Sequence, residues 1–543
     1  MSNGEYLLGI DYGTESCRVG IFDLEGRPVA FEATPYKLTH PRPGWAEQDV
    51  DEWWSALKSS IRGCLDKSGT SPDAIAGISY DATTCTPVAL DANGRPLRKA
   101  VMWMDVRAGD QARRIAESTN AARKYNAGGT GPVSAEWYPS KALWVKENEP
   151  DIWKSAAWFV ECDDWLNWKL TGRWTASINT AAMRAFHNRD LGGWPTDFYE
   201  EIGLGDALGK LPEEVVDMGV HVGDLTRECA EELGLKAGTP VAQGGADAFV
   251  GQIGLNVVSP GKMAYITGSS HVLAGQVDHE VHGEGFFGGY TDAIMPGQYT
   301  VEGGQVSTGS VMKWFKDHFA KDVVAEAERT GRNAYDLLNE RAKNIPIGSD
   351  GLIVVEYFQG NRTPWVDGDA RGMLWGLSLA HTPEHVYRAI QEGCCYGSAH
   401  ILRFMAAAGF EVREFVACGG WCNSRDLMQT VADVTGVPVT LTEVGDAPVL
   451  GSSILAAAGA GLFGSVQEAA GVMVHETDTL EPDKAKNEEY QFFIDQYAAT
   501  WPQMRDLTHK VVHKVRDGGD NNAKSVETEV NPEGGGVSAE QPG

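Results

Sequence analysis

The sequence has little positive charge for its size. Among 543 residues, 46 are Lys or Arg and 75 are Asp or Glu, which gives a formal net charge of −29. Nucleic acids and anionic membrane surfaces are bound mainly through clusters of Lys and Arg. We therefore expect neither a nucleic acid partner nor a membrane partner.

Three further features are absent. The most apolar stretch, residues 448–464, is short and rich in Gly, Ala and Ser, so it falls below the ~18 apolar residues that a membrane span needs. The first five residues lack the basic and apolar regions of a secretion signal. The nine cysteines include no Cys-x-x-Cys pair, which favours reduced thiols over a metal site. Together these absences predict a cytoplasmic protein.

Short apolar runs separated by turns open the chain. Residues 7–10, 18–22 and 28–31 have strand patterns and together predict a β-meander. From Asp51 onwards the apolar residues recur with helical spacing. Because strands alternate with long helices to the end of the chain, we expect an α/β fold.

A second unit of strand, turn and strand resembles the first. Residues 262–266 form an apolar run, residues 267–270 a small polar turn, and residues 271–273 a second run. We interpret this as two related halves, residues 1–257 and 258–516, that each present a loop to a shared cleft. After Arg516 almost no apolar residues remain, so we expect residues 517–543 to be a disordered acidic tail.

The turn after the first strand, Asp11-Tyr12-Gly13-Thr14, has the residues that a phosphate site requires. Gly13 allows backbone N–H groups to approach a phosphate, Thr14 or Ser16 adds a hydroxyl, and Asp11 suits Mg²⁺ bound through water. Alone, this turn fits an ordinary hairpin with an Asp cap equally well. The second turn at 267–270 favours the phosphate interpretation, because a nucleotide cleft between duplicated domains needs two facing loops.

Asp247 is a candidate general base. It follows Gly244-Gly245-Ala246 and precedes an apolar, helix-like segment. A carboxylate can take the proton of a sugar hydroxyl, and the neighbouring glycines leave room for a substrate. Asp247 is also a good candidate for a helix N-cap, and the two roles are compatible.

An ordered set of segments between residue 7 and about residue 464 resembles the FGGY family of carbohydrate kinases, within the actin, Hsp70 and sugar kinase fold superfamily. The segments are residues 9–16, residues 43–49 with Trp53 and Trp54, Trp103-Met104-Asp105 with Arg107, residues 244–247, Thr267-Gly268-Ser269, and residues 418–424 with Gln429 and Asp433.

The resemblance implies two actin/Hsp70-like, ribonuclease H-like domains with an interdomain cleft. It also implies ATP-dependent, Mg²⁺-dependent phosphorylation of a sugar or polyol hydroxyl, with Asp247 as the base and Asp11 serving Mg²⁺ and the phosphates. Dimers are common in the family, and nothing in the sequence reports an interface. The implied ATP-binding residues are Asp11, Gly13, Thr14, Ser16, Thr267, Gly268, Ser269, Gly309, Gly419, Gly420 and Asn423.

Four segments resemble ribulokinases within that family, namely residues 81–87, 128–129 with 134–137, 301–305 and 360–364. Trp103 offers an apolar wall and an indole donor, and Asp105 an acceptor for hydroxyls; an ordinary core Trp and a surface Asp are the alternatives. The expected substrate-binding residues are Thr84, Cys85, Trp103, Asp105, Arg184, Asp247 and Glu302.

Three departures from L-ribulokinases leave the sugar open, and one of them is the segment of residues 243–249. Arg184 lies where those enzymes have Lys, and Val106 lies where they have His; Arg and Lys are not equivalent, because a planar fork differs from a point charge. The expected reaction is phosphorylation of the terminal hydroxyl of a pentulose, L-ribulose, D-ribulose or a related one. The alternatives are another ketose or a polyol and, outside sugar metabolism, an actin- or Hsp70-type ATPase.

Overall fold

The computed structural model describes residues 6–125 and 133–526. The Gly128-Gly129 pair therefore lies outside the described residues. The strands of the first half are β1 (Tyr6–Tyr12), β2 (Ser16–Asp23), β3 (Pro28–Pro35), β4 (Glu47–Gln48), β5 (Ile75–Ala82), β6 (Val88–Leu90), β7 (Ala100–Val101), β8 (Trp158–Val160), β9 (Ala176–Ser177), β10 (Val215–Val216), β11 (His221–Asp224), β12 (Pro240–Ala242) and β13 (Gly245–Ala246). Its helices are α1 (Val50–Ser68), α2 (Gly109–Ala116), α3 (Tyr138–Asn148), α4 (Pro150–Ser155), α5 (Cys162–Thr171), α6 (Ile178–Arg184), α7 (Thr196–Glu201), α8 (Arg227–Leu233) and α9 (Asp247–Gly254).

The second half contains a similar alternation of strands and helices. Its strands are β14 (Lys262–Thr267), β15 (His271–Val277), β16 (Phe287–Thr291), β17 (Tyr299–Gln305), β18 (Ile353–Val355), β19 (Met373–Trp375), β20 (Glu414–Gly419), β21 (Val439–Thr442) and β22 (Glu476–Leu480). Its helices are α10 (Gly309–Phe319), α11 (Lys321–Thr330), α12 (Ala334–Ala342), α13 (Pro383–Ala407), α14 (Arg425–Thr435), α15 (Ala447–Gly459), α16 (Val466–Met473) and α17 (Lys484–Val526).

Each half is built on a mixed sheet with the same central pattern. In the described residues the first sheet runs β11-β12-β5-β1-β2-β3, with β13 beside β5, and the second runs β16-β17-β15-β14-β20-β21-β22. In both sheets the first strand pairs antiparallel with the next strand and parallel with a later one, β1 with β5 and β14 with β20. The predicted α/β fold of two related halves is confirmed, and so is the opening β-meander.

Helix α15 belongs to the second half of the chain but packs on the first sheet. A Cβ atom on Gly9 of β1 would overlap the carbonyl oxygen of Val449, so the helix lies directly against the strand. The Ser452 hydroxyl donates hydrogen bonds to the Ile10 carbonyl oxygen, at 3.2 Å, and to Asp81 Oδ2, at 2.8 Å. The two halves are thus joined through the face of the first sheet.

The C-terminal helix corrects one expectation. Residues 517–526, predicted to belong to a disordered tail, continue helix α17. The helix is anchored by the buried side chains Tyr490, Ile494, Tyr497 and Trp501. Extending an existing helix by one residue costs less conformational entropy than forming its first turn. Residues 527–543 lie outside the described residues. Among the residues that the structure describes, no helix is long and apolar enough to cross a membrane.

Candidate active site

Three carboxylates meet at one edge of the first sheet. Asp11 in β1 lies opposite Asp81 in the parallel strand β5, and Gly245 of β13 also lies opposite Asp81, so that Asp247 follows directly after β13. The chain reaches this position because residue 244 is glycine; a Cβ atom there would overlap the Tyr80 carbonyl oxygen. Carboxyl ends of parallel strands are where α/β proteins form their sites.

Burial and mutual repulsion shape the charges of this cluster. Asp11 and Asp81 are 1% and 0% exposed. Burial raises the pKa of Asp11 to about 6, although Arg18 opposes the shift. Burial, with the charges of Asp11 and Asp247, holds the pKa of Asp81 well above its usual range. A cation bound at this edge would lower these pKa values, because an opposite charge favours the ionised carboxylate.

Arg18 links this edge to the second half. Its Nη2 atom lies 2.5 Å from Asp11 Oδ2, and its Nη1 atom donates to Asp446 Oδ2 at 3.1 Å. Asp446 directly precedes α15. Burial, with smaller contributions from Cys422 and Asp446, raises the pKa of the Cys418 thiol near the end of β20. The cluster therefore lies where the two halves meet.

Asp247 is the first residue of α9, and Ala246 occupies the N-cap position. Its Oδ1 atom accepts a hydrogen bond of 2.6 Å from the Ala248 N–H. No donor in the described ranges reaches its Oδ2 atom, and the side chain is half-buried. Burial, with the charge of Asp11, raises the pKa of Asp247 to about 7. This is a carboxylate with a free oxygen and a pKa near neutrality, the properties of a general base.

Hydrogen bonds from side chains outside the loop hold the first predicted nucleotide loop, residues 13–16, in place. The Gly13 N–H donates to the Ser16 carbonyl oxygen at 3.1 Å, and the Tyr36 hydroxyl donates to both the Gly13 and the Ser16 carbonyl oxygens. The indole N–H of Trp103 donates to Thr14 Oγ1 at 3.1 Å. The structure thus brings a residue predicted for the sugar against a residue predicted for the nucleotide.

The remaining predicted nucleotide loops meet in the second half. Thr267 lies opposite Gly419 in the register of β14 and β20. Thr267 Oγ1 donates to the Cys418 carbonyl oxygen at 2.8 Å and accepts from the Trp421 N–H at 3.1 Å. Gly419 has φ +96°, and a Cβ atom there would overlap the Thr267 carbonyl oxygen. Only glycine fits this position.

The loop at 268–270 also contacts the start of α10. The N–H groups of Thr308 and Ser310 donate to the Ser269 carbonyl oxygen at 3.0 and 3.1 Å. A Cβ atom on Gly309 would overlap the Gly268 carbonyl oxygen. On the other side, Gly420 and the exposed Asn423 form the short 3-10 turn after β20. The predicted residues of this half therefore form one continuous rim of backbone and small side chains.

Two predicted sugar residues form a buried ion pair between the halves. Arg184, at the end of α6, places Nη2 2.8 Å from both carboxylate oxygens of Glu302 in β17, and its Nη1 donates to the Tyr290 hydroxyl at 2.9 Å. Arg184 is 9% exposed and Glu302 5%. Because each side chain holds the other in place, Arg184 and Glu302 act as one paired unit, which we call the charged wall.

The loop that contains Thr84 and Cys85 is held by a buried ammonium group. Lys141 of α3, 1% exposed, donates to the carbonyl oxygens of Cys85 at 2.6 Å, Met102 at 2.6 Å and Trp103 at 3.2 Å. Cys85 has φ +57°, a conformation that costs energy in a residue other than glycine and needs support from its neighbours. Lys141 thereby fixes both predicted sugar loops.

Asp105 has no free acceptor in this structure. It is fully buried and accepts hydrogen bonds from the Ala46 N–H at 2.6 Å and from Arg107 Nε and Nη2 at 2.9 and 2.7 Å. The sequence assigns Asp105 to a sugar hydroxyl. The geometry instead fits a residue that orients the loop of Trp103, because its oxygens are already occupied.

Sequence reasoning missed several residues of this site. Asp81 could have been found, because it ends a buried strand as Asp11 does. No sequence pattern near Arg18, Asp446 or Lys141 marks it as a site residue. Arg18 and Asp446, for example, are 428 residues apart in the chain. Within the described residues, no group of three or more His, Cys, Asp or Glu side chains is arranged to hold a metal ion.

Two related sheets, glycine loops in both halves and carboxylates at the strand ends fit a phosphotransferase of the two-domain, actin-like class. Models of the N- and C-terminal domains of the FGGY family of carbohydrate kinases match residues 6–254 and 263–460. The chain belongs to this family and is a carbohydrate kinase, and membership implies the use of ATP.

Relatives and a solved structure agree with this assignment. A ribulokinase of Shouchella clausii (strain KSM-K16) is 33% identical over 91% of this chain and 94% of its own length. A xylulose kinase of Staphylococcus epidermidis (strain ATCC 12228 / FDA PCI 1200) is 29% identical over 93% of this chain and 98% of its own. The crystal structure of a xylulose kinase from Rhodospirillum rubrum superposes with a TM-score of 0.82, at 26% identity, over 93% of this chain and 100% of that one.

Proposed function

We propose that this carbohydrate kinase transfers the γ-phosphoryl group of ATP to the terminal hydroxyl of a pentulose, with ribulose as its substrate, and releases ADP and the ketose 5-phosphate. The observation that carries the proposal is Asp247, whose Oδ2 atom receives no hydrogen bond from a described donor and whose side chain lies beside the carboxylates of Asp11 and Asp81. The ribulokinase relatives support the choice of sugar. We also propose a cytoplasmic location, where the free cysteines stay reduced.

The proposed roles follow the two sides of the cleft. Asp247 accepts the proton of the attacking hydroxyl. The sugar lies against Thr84, Cys85, Trp103, Arg184 and Glu302, with Asp105 holding the loop of Trp103. The nucleotide is held by Gly13, Thr14, Ser16, Thr267, Gly268, Ser269, Gly309, Gly419, Gly420 and Asn423, and backbone N–H groups replace the basic side chains that this acidic chain lacks.

The residues present fit Mg²⁺ beside Asp11. Asp81 Oδ1 is buried, and no described donor satisfies it, so the pair of Asp11 and Asp81 offers carboxylate oxygens of the kind that Mg²⁺ takes together with phosphates and water. Mg²⁺ would neutralise charge on the phosphates there. Asp11 is the proposed principal ligand, and Asp81 stands next to it.

Xylulose is the second candidate, because xylulose kinases stand among the relatives at nearly the same identity as the ribulokinases. The charged wall of Arg184 and Glu302 is compatible with either sugar, since both ketoses present the same functional groups in different stereochemistry.

The test is an ADP-release assay with purified protein over both enantiomers of ribulose and xylulose, hexuloses and polyols. We expect the highest kcat/KM with a ribulose. A preference for xylulose would select the second candidate, and a preference for a hexulose or polyol would contradict both. ATP hydrolysis that no sugar stimulates would contradict a sugar kinase altogether. Chelation of Mg²⁺ with EDTA should abolish turnover, and activity that persists would contradict the Mg²⁺ assignment.

A further inference from the structure

Arg362 is a cation without a partner in a strongly acidic protein. The side chain is half-buried. Among the Lys and Arg side chains of residues 6–125 and 133–526 that are at least half-buried, it is the one with no hydrogen bond, ion pair or ring contact. Withdrawing a charge from water without compensation is unfavourable. An unpaired, partly desolvated guanidinium therefore indicates an anionic ligand that completes the site.

The loop around Arg362 is held rigidly against the second sheet. The Gly304 N–H donates to Thr363 Oγ1 at 2.8 Å, and the same hydroxyl donates to the Gly304 carbonyl oxygen at 2.9 Å. Asn361 Nδ2 donates to the Thr363 carbonyl oxygen, and Asn361 Oδ1 accepts from the Trp365 N–H. The guanidinium is thus carried on a fixed backbone, as a preorganised binding group requires.

The Arg362 side chain lies against strand β17, next to Gly304. A Cβ atom on Gly304 would lie 3.6 Å from Arg362 Cδ and 3.7 Å from its Nη1 atom. Residues 302 and 304 share a face of the strand, whereas a Cβ atom on Gly303 would point at Ile401 of α13, on the opposite face. Arg362 therefore lies on the face of Glu302, the partner of Arg184.

The phosphate loops adjoin the same place. Gly304 lies opposite Val272, next to His271, the residue with which β15 begins directly after the loop at 267–270. Beyond Gln305 the chain leads to Thr308 and Gly309, which contact that loop. Arg362 therefore lies between the ion pair of Arg184 and Glu302, which we assign to the sugar, and the loop at 267–270, which we assign to the phosphates.

We propose that Arg362 binds the phosphoryl group while it passes from ATP to the sugar. As the bond from the sugar oxygen to phosphorus forms and the bond from phosphorus to the ADP oxygen breaks, the hydroxyl proton goes to Asp247. The guanidinium donates N–H bonds to the non-bridging oxygens of the transferring group, and then to the phosphate of the product. Arginine suits this role because its planar fork matches phosphate geometry. The proposal rests on kinase activity, and it holds for whichever sugar is the substrate.

The experiment compares Arg362→Gln and Arg362→Lys with Arg371→Gln. Arg371 is an exposed arginine nearby that donates only to the carbonyl oxygens of Gly368 and Ala370. For Arg362→Gln we expect kcat to fall about 10²-fold, as when one preorganised donor is removed, while the KM for the sugar changes little. Arg362→Lys should recover part of the loss, and Arg371→Gln should retain the wild-type kcat.

A binding measurement separates this proposal from the choice of sugar. Calorimetry with Mg²⁺ and ADP, with and without aluminium fluoride, compares a mimic of the transferring phosphoryl group with the plain nucleotide. We expect Arg362→Gln to lose affinity for the fluoride complex and to keep its affinity for ADP. Unchanged affinity for the fluoride complex, or an unchanged kcat in folded protein, would overturn the role of Arg362 even if ribulose proves to be the substrate. If Arg362→Gln unfolds, Arg362→Lys decides by the same two measurements.

Discussion

At the scale of single residues, the site depends on carboxylates that repel one another. Asp11 and Asp81 lie near the ends of two adjacent strands, and Asp247 follows the short strand β13. Burial raises the pKa of all three, and neighbouring carboxylates add to the shift at Asp81 and Asp247. Perturbed pKa values of this kind concentrate where chemistry occurs. The arrangement gives Asp247 an affinity for protons that an exposed Asp lacks, and this is what a general base for a sugar hydroxyl requires.

Replacing Asp247 by Asn should remove this base. We expect kcat to fall by about 10²-fold or more, as losses of general bases typically do, while the affinity for ADP, measured by calorimetry, remains. The matched control is Asp278→Asn, an exposed Asp in the second half, which should keep wild-type activity. An Asp247→Asn protein with near-wild-type turnover would contradict the assignment.

The pH dependence of kcat/KM provides a second test of the role of Asp247. The pKa of Asp247 is raised to about 7, so the carboxylate is protonated below that pH and cannot accept the hydroxyl proton. In the wild type, kcat/KM for the sugar should fall as the pH drops below about 7, and bound Mg²⁺ moves this limb to lower pH. The residual activity of Asp247→Asn should lack the limb.

At the scale of elements, the sequence patterns predicted what is local. Residues 7–10, 18–22 and 28–31 were predicted as a meander, and β1, β2 and β3 form it. The sequence singles out Asp11 and Asp247 because each lies beside a glycine turn, and the structure places both next to Asp81. Asp105 was assigned to the sugar because the sequence could not show that Arg107 and the Ala46 N–H occupy its oxygens. Lys141 was missed because its three acceptors come from two distant loops.

Lys141 gives a prediction at this scale. Its ammonium group fixes the backbone at Cys85, Met102 and Trp103, and burial lowers its pKa. Lys141→Met keeps the apolar stem but removes the ammonium donor from the carbonyl oxygens of Cys85 and Trp103. The Met102 carbonyl oxygen still accepts from the Asp105 N–H at 3.0 Å. Because small misplacements of positioning groups cost about 10²-fold, we expect a loss of that order in kcat/KM for the sugar, with ADP affinity retained.

The control for Lys141 lies on the same helix. Lys146 of α3 reaches Asp206 Oδ1 at 2.6 Å near the surface, and Lys146→Met should change stability by no more than about 0.5 kcal/mol. Steady-state kinetics with varied sugar and then varied ATP distinguish the two variants. If Lys141→Met changes the KM for ATP and not that for the sugar, the ammonium group does not position the sugar loops.

At the scale of the whole molecule, the structure and the family assignment change how the net charge and the division into two halves are interpreted. The net charge of −29 speaks against polyanions bound by basic surfaces, but ATP can be held by backbone N–H groups and Mg²⁺. The sequence also predicts two consecutive halves, and the sheets follow that division. Helix α15 does not, because its contacts with β1 and α9 join segments that are far apart in sequence.

This helix makes the stability of the halves interdependent, and Gly451 tests it. A Cβ atom on Gly451 of α15 would overlap the Val250 carbonyl oxygen of α9, the helix that begins with Asp247. Gly451→Ala should therefore push the two helices apart, at the ~1–3 kcal/mol that overpacking typically costs, and lower kcat as well. Hydrogen exchange measured by mass spectrometry should show lost protection in β5 and in β14 together.

Gly471 of α16 is the matched control, because no atom lies within 4 Å of its Cβ position. Gly471→Ala should be neutral or stabilise the protein by about 0.5–1 kcal/mol, since alanine loses less backbone freedom in a helix. If Gly451→Ala lowers protection only in the second half, α15 is not the element that couples the two sheets. If both halves lose protection, Asp247 is held in place by a helix that begins 200 residues later in the chain, at Ala447.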